Sequence, residues 1–141
     1  MADDESDPDC PPAVKLDHEH EWELFQLLEQ GPAGIFVATA AGKPYYANQR
    51  ARRLLHIGNV PDDVRQFSWA FGAYEIGTPH HYPTERLPIV RALAGEACEV
   101  SDLELRREGG SAVPLHVSSA PMKLHGQLAF SVTALQDIRE L

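Results

Sequence analysis

A chain of 141 residues, 43% hydrophobic and 23% charged, has the length and composition of one globular domain with a single core, so a second domain is not expected. Its net charge of −9 comes from residues 1–30, where ten acids face one lysine (1 − 10 = −9); the remaining eleven acids and eleven bases cancel, leaving no basic excess for nucleic acid. No run approaches the roughly 18 apolar residues of a membrane helix, the acidic start is the reverse of a secretory leader, and Cys10 and Cys98 form no CxxC pair, so a cytoplasmic protein without a thiolate metal site is expected.

Residues 1–16 hold five acids and three prolines with little that is apolar, the composition of a disordered tail. Asp17 can cap a helix over residues 17–30 that Gly31 and Pro32 stop. Trp22, Leu24, Phe25, Leu27 and Leu28 sweep roughly 220° of that helix, about twice the stripe that faces one core. The excess marks them as a candidate homodimer interface.

At Gly34 the period turns strand-like. "GIFVATA", a turn at "AGK" and "PYYA" read as a hairpin. Asn48 is a predicted N-cap for a short helix with Ala51, Leu54 and Leu55 inward, Arg50, Arg52 and Arg53 outward, and Gly58 at its end. Residues 59–82 are irregular and rich in aromatics, the kind of segment where ligands sit. "TERLPIVRALAGE" predicts a second helix with Thr84 as cap, Leu87, Val90 and Leu93 inward, and Gly95 as stop. Pro88 falls near the first turn, where it is tolerated.

Three strands follow. In "ACEVSDLELRR" the apolar parity switches between Cys98/Val100 and Leu103/Leu105, which predicts a bulge near Ser101 or Asp102. "SAVPLHVSSAPM" sets Val113, Leu115 and Val117 opposite Pro114, His116 and Ser118, and Pro114 calls for an edge or a locally irregular ladder. "GQLAFSVTALQ" alternates Leu128, Phe130, Val132 and Ala134, and "DIREL" leaves the sheet. The fold class is α+β, a five-stranded antiparallel sheet covered on one face, with the core helices inserted between strands two and three and a flanking helix at the N-terminus.

With these elements in order, the chain resembles a PAS domain. The resemblance rests on "GPAGIFVAT", "YYANQRARRLLHIG", "LPIVRALAGE", "LRREGG" before a strand running to "VSSAPM", and a terminal "DIREL", and spans about residues 22–141. It implies a core over residues 31–141, a sensory role, pairing through a flanking helix, and an output domain such as a histidine kinase. "DIREL" is similar to the Asp-Ile-Thr-Glu ending that leads into a signalling helix, with Arg139 in place of Thr. Small-molecule binding would then involve Trp69, Phe71, Tyr74, His80, His81, Val117 and Phe130.

The cofactor is left open. No cysteine lies between residues 11 and 97, so the cysteinyl-flavin adduct of the light-sensing branch and a thioester-linked chromophore are not expected. Haem would need a ligand such as His80 or His81, and a non-covalent flavin could stack on Trp69 and Phe71; the simpler readings are a loop histidine pair and plain core aromatics. His18 and His20, two apart on a helix, point about 200° away from each other and cannot share a metal. A small hydrolase or isomerase using His80 or His81 with Glu75 or Glu85 lacks any supporting GxSxG, HExxH, P-loop or paired-carboxylate motif, so no catalytic residue is assigned. A dimerisation module with an empty core is the alternative to a ligand sensor.

Overall fold

The computed structural model of the protein describes Glu29 and residues 31–56, 61–107 and 109–140. The acidic tail, the expected interface residues Trp22, Leu24, Phe25, Leu27 and Leu28, and Gly58 lie outside the described residues.

One antiparallel sheet runs in the order β2-β1-β6-β5-β4-β3. Its strands are β1 (Gly34–Thr39), β2 (Pro44–Ala47), β3 (Ala73–Glu75), β4 (Cys98–Arg106), β5 (Ala112–Leu124) and β6 (Gln127–Asp137). Helices α1 (Gln49–Leu55), α2 (Phe67–Ala70) and α3 (Pro88–Leu93), with short 3-10 turns, pack on one face, and the core lies between them and the sheet. The sheet has six strands, not the expected five. β3 is only three residues long and sits between Gly72 and Gly77, too short for an alternating pattern to be seen.

The β1–β2 hairpin closes through Gly42, whose φ of +90° lies in the region that glycine adopts without strain. Gly34 serves a different need. A Cβ there would stand 3.0 Å from the Cα of Ala51, so β1 and α1 meet backbone to backbone. α1 buries Ala51 and Leu55, leaves Arg52 and Arg53 exposed, and ends at His56 in the left-handed region (φ 51°, ψ 52°), two residues before the expected stop.

The predicted helix over residues 84–95 is split. Thr84–Arg86 form a 3-10 turn, Leu87 is extended (φ −61°, ψ 128°), and α3 starts at Pro88. The proline ring disfavours a helical conformation in the residue before it, while its own fixed φ suits the first helical position. The buried residues are therefore Leu87, Pro88, Ile89 and Ala92, whereas Val90 and Leu93 are half-buried.

The β4 bulge falls where the parity switch predicts it: Val100 pairs with Val117 and Leu103 with Leu115, so Ser101 and Asp102 oppose the single His116. The extra residue brings Asp102 to the hydroxyl of buried Tyr82 (2.8 Å) and to Arg86 (3.0 Å). Pro114 lies in an interior strand, but pairing with β6 begins one residue later at Leu115, so β5 has a single ladder partner there.

Ser131, Thr133 and Leu135 point into the core, and Leu128, Phe130, Val132 and Ala134 are less buried on the outer face. Small polar side chains are tolerated inside because each has a partner. Ser131 donates to the Ile89 carbonyl at 3.1 Å, and the Ser119 and Thr133 hydroxyls meet at 2.6 Å.

Candidate functional site: the core cavity and the α1 junction

Between sheet and helices lies an apolar cavity of about 50 Å³ whose walls include Phe36, Leu55, Phe67, Phe71, Leu115 and Val117. Thr133, already paired with Ser119, is the polar residue of the lining. Ligand pockets for drug-sized molecules run to roughly 300–1,000 Å³. The cavity therefore suits a very small apolar occupant, and its lining fits neither haem nor an isoalloxazine ring.

Of the residues predicted to bind ligand, Phe71 and Val117 reach this wall. The others lie elsewhere. Trp69 is 72% exposed and stacks on His81 (3.6 Å between ring centroids); Tyr74 also stacks on His81 (4.2 Å) and carries the Arg106 guanidinium at 4.2 Å over its own ring. His80 is exposed, and Phe130 packs on Tyr45 on the outer face of the sheet. His81 thus has its ring taken up by aromatic neighbours outside the cavity, and its Nδ1 is buried without a hydrogen-bond partner. This arrangement offers no axial ligand directed into the core.

Of the residues considered for an enzyme, His80 is exposed, and Glu75 donates its backbone N–H to the His80 carbonyl at 3.1 Å. Glu75 is held by Arg86 at 2.8 Å. Ser101 meets His116 Nδ1 at 2.7 Å, but Glu99 is 3.7 Å from Nε2, beyond a hydrogen bond, and largely exposed. No group of three or more metal-ligating side chains occurs among the described residues.

The more constructed region is the junction where β2 enters α1. Asn48 is fully buried. Its Oδ1 accepts from the backbone N–H of Ala51 (2.9 Å), capping α1, and from that of Ile35 (2.9 Å), while Nδ2 donates to the Ala33 carbonyl (3.0 Å). One side chain ties the first turn of the helix to the start of β1. Beside it, Tyr46 donates to Glu29 Oε1 at 2.9 Å, and Arg52 pairs with Glu29 Oε2 at 2.5 Å while also donating to the Ala47 carbonyl. The Arg52 hydrogen bond, then that of Tyr46, holds the Glu29 carboxyl below its ordinary range. Burial, with the Glu29 hydrogen bond second, pushes the Tyr46 phenol up to about 12.

The sign of this shift sets a testable pH dependence. A raised phenol contributes stability that is fully present below the ordinary tyrosine value and lost as pH rises through about 12. In an alkaline absorbance titration two of the four phenols, those of Tyr46 and Tyr82, should ionise late, and Tyr46→Phe should remove one of these two late components. Loss of an early-titrating phenol instead would contradict the Tyr46–Glu29 contact.

The C-terminal end also returns to α1. Asp137 is buried and accepts from the Arg139 backbone N–H (3.0 Å), Nε (3.0 Å) and Nη2 (2.7 Å), and these bonds hold its carboxyl below the usual range. Arg50 pairs with Glu140 at 3.4 Å across a cleft of about 130 Å³ bordered by Pro32, Leu54 and Gln136. Sequence reasoning placed Asn48 but read the arginines as a solvated face. The Glu29–Tyr46–Arg52 contact joins residues 17 and 23 positions apart, and no local pattern carries it.

A six-stranded antiparallel sheet with its helices on one face, an Asn-capped α1 and a small apolar core cavity define the α+β architecture of this domain. The chain belongs to the PAS family: the family model described as the PAS fold matches residues 28–141. A search of curated proteins finds none that matches the chain. Among solved structures, the chain is similar to the PAS domain of an HTR-like protein from Haloarcula marismortui, with 20% identity, TM-score 0.57, and 85% of this chain and 93% of that one covered. It is similar to an RNA-binding Light-Oxygen-Voltage receptor, with 23% identity, TM-score 0.63, and 92% of this chain but 36% of that one covered. A third is the LOV domain of the Erythrobacter litoralis EL346 blue-light-activated histidine kinase, with 14% identity, TM-score 0.54, and 77% and 98% covered. At these identities the likeness is one of fold. No helix among the described residues is long and apolar enough to cross a membrane.

Proposed function

We propose that this PAS domain is a cytoplasmic relay module in which α1 couples the core to both flanking segments of the chain. The observation that carries this reading is the position of α1. Leu55 forms part of the cavity wall, Arg52 holds Glu29 on the N-terminal side, and Arg50 meets Glu140 on the C-terminal side. A shift of α1 against the cavity alters both contacts together, which is the geometry a relay requires. The signal is a small apolar molecule in the core or a partner on the surface. The output is a signalling domain linked through the segment after Glu140, with a histidine kinase favoured by the family resemblance.

In this reading the domain is a homodimer through the apolar arc of Trp22, Leu24, Phe25, Leu27 and Leu28, whose width exceeds what one core needs. The small cavity also favours a second reading, a dimerisation module that works with its core empty. One set of measurements separates them. Native mass spectrometry and an absorption spectrum of freshly purified protein should show a dimer, no Soret or flavin band, and a small bound mass if the core is a sensor; an unliganded dimer supports the second reading. Sedimentation of a Phe25→Asp/Leu28→Asp variant should give a monomer, and an unchanged dimer would discard the arc as the interface.

A further inference from the structure

The core cavity is not sealed equally on all sides. Among the described residues of its lining, Phe71 alone is half-buried, touching both the cavity and water, while the rest, from Phe36 on β1 to Leu135 on β6, are buried. The Phe71 ring leans edge-on against Phe67 (4.9 Å between centroids), which meets Phe36 in the same way at 5.0 Å, so a row of three rings runs from β1 out to the surface. The backbone at Phe71 is held on both sides. Its N–H donates to the Phe67 carbonyl (3.0 Å) at the end of α2, and the neighbouring Gly72 carbonyl accepts from the Arg106 N–H of β4 (2.8 Å). What is left free to turn is the side chain, and the edge contact of a ring pair is worth only about 0.5–1.5 kcal/mol beyond the area it buries.

We propose that Phe71 is the gate of the core cavity, its ring turning outward to admit a small uncharged apolar molecule and turning back to close the wall. The inference rests on the sensor reading above, since a module that works with its core empty has no use for a gate. A turn about the Phe71 side-chain bonds opens a path without unfolding α2 or breaking a strand hydrogen bond. Such steps take picoseconds to nanoseconds for a partly exposed side chain, whereas displacing a packed helix takes microseconds to milliseconds. What can stay inside is set by the wall behind the gate. That wall is apolar and the Thr133 hydroxyl is already taken by Ser119 at 2.6 Å, so a charged or hydrogen-bonding solute would lose its water and find no partner. Phe71 therefore sets how fast a ligand enters, and the buried wall, with Leu115 and Val117, sets how tightly it is held.

Xenon, a single apolar atom, is the probe, because dry apolar cavities take it up. In the full chain under xenon pressure the methyl signals of Leu115 and Val117 should shift, and their exchange broadening gives the entry rate alongside the affinity. Phe71→Leu should raise the entry rate at least fivefold, and Phe71→Trp should lower it at least fivefold. Val117→Ala, in the buried wall, should change the affinity while moving the entry rate less than twofold. Because the two Phe71 variants push the rate in opposite directions, a general loosening of the fold, which would speed entry in both, cannot imitate the result. Either variant decides the test if the other does not fold. An entry rate equal to the parent's in the Phe71 variants, or raised in both, would overturn the gate and leave the core as a ligand site. No xenon shift in the parent or in any variant would discard the core as a ligand site, and the gate with it.

Discussion

Replacing Asn48 with alanine should lower the unfolding free energy by about 3 kcal/mol, from loss of an N-cap worth about 1 kcal/mol and from two part-buried backbone groups left unpaired at roughly 1–3 kcal/mol each, partly relieved by water. Ile35 N–H and the Ala33 carbonyl are the groups left behind, and the Ala51 N–H is the lost cap. Against a typical domain stability of about 5–15 kcal/mol this is a severe change. Urea denaturation followed by circular dichroism should show a lower midpoint with an unchanged slope. Asn48→Asp keeps the acceptor for both N–H groups and should recover part of the loss. If alanine and aspartate cost the same, the acceptor role assigned to Oδ1 is wrong.

Leu115→Ala should destabilise by about 3–4 kcal/mol, within the range for a leucine deleted from a packed core. Leu115 is 1% exposed and forms part of the cavity wall, so the truncation enlarges space that already exists. The variant gives a direct reading of what the core can hold. An apolar cavity that stays dry takes up benzene when it is large enough. Benzene should raise the thermal midpoint of Leu115→Ala and leave the parent unchanged, since about 50 Å³ is too small. An equal rise in the parent would mean that its core opens to ligand size, and the empty-module reading would lose its main support.

The parts of the fold that were legible in the sequence are those where a local rule had no competitor. Asn48 before Ala51, Leu54 and Leu55 could be little other than a cap, and the parity switch around Ser101 and Asp102 has one geometric solution, a bulge. In β6 alternation alone does not say which face is inner. Leu128, Phe130, Val132 and Ala134 outrank Ser131 and Thr133 in hydrophobicity, yet the inner positions face Ile89 and Ser119, where a short hydroxyl finds a partner. Phe130, a ligand candidate, packs on Tyr45 and does not line the cavity. Trp69, Tyr74 and His81, read only as ligand candidates, form a stack away from the cavity, because aromatic composition does not say which way a loop turns its rings. The Glu29 contact was invisible for another reason: it depends on where the chain before the sheet comes to rest, a tertiary fact without periodicity.

The extra residue of β4 also bears on how this sequence can drift. Between Val100 and Leu103 the strand carries two residues against His116 alone, and removing either Ser101 or Asp102 would restore an unbroken ladder with Val100 and Leu103 still facing inward. A single-codon gap at this point is therefore compatible with the same sheet. The two possible losses differ in what they surrender. Without Asp102, the buried Tyr82 hydroxyl and Arg86 lose their shared acceptor, whereas without Ser101 only the hydroxyl beside His116 goes. Lineages that shorten β4 here would be expected to keep the aspartate, or to give up Tyr82 together with it.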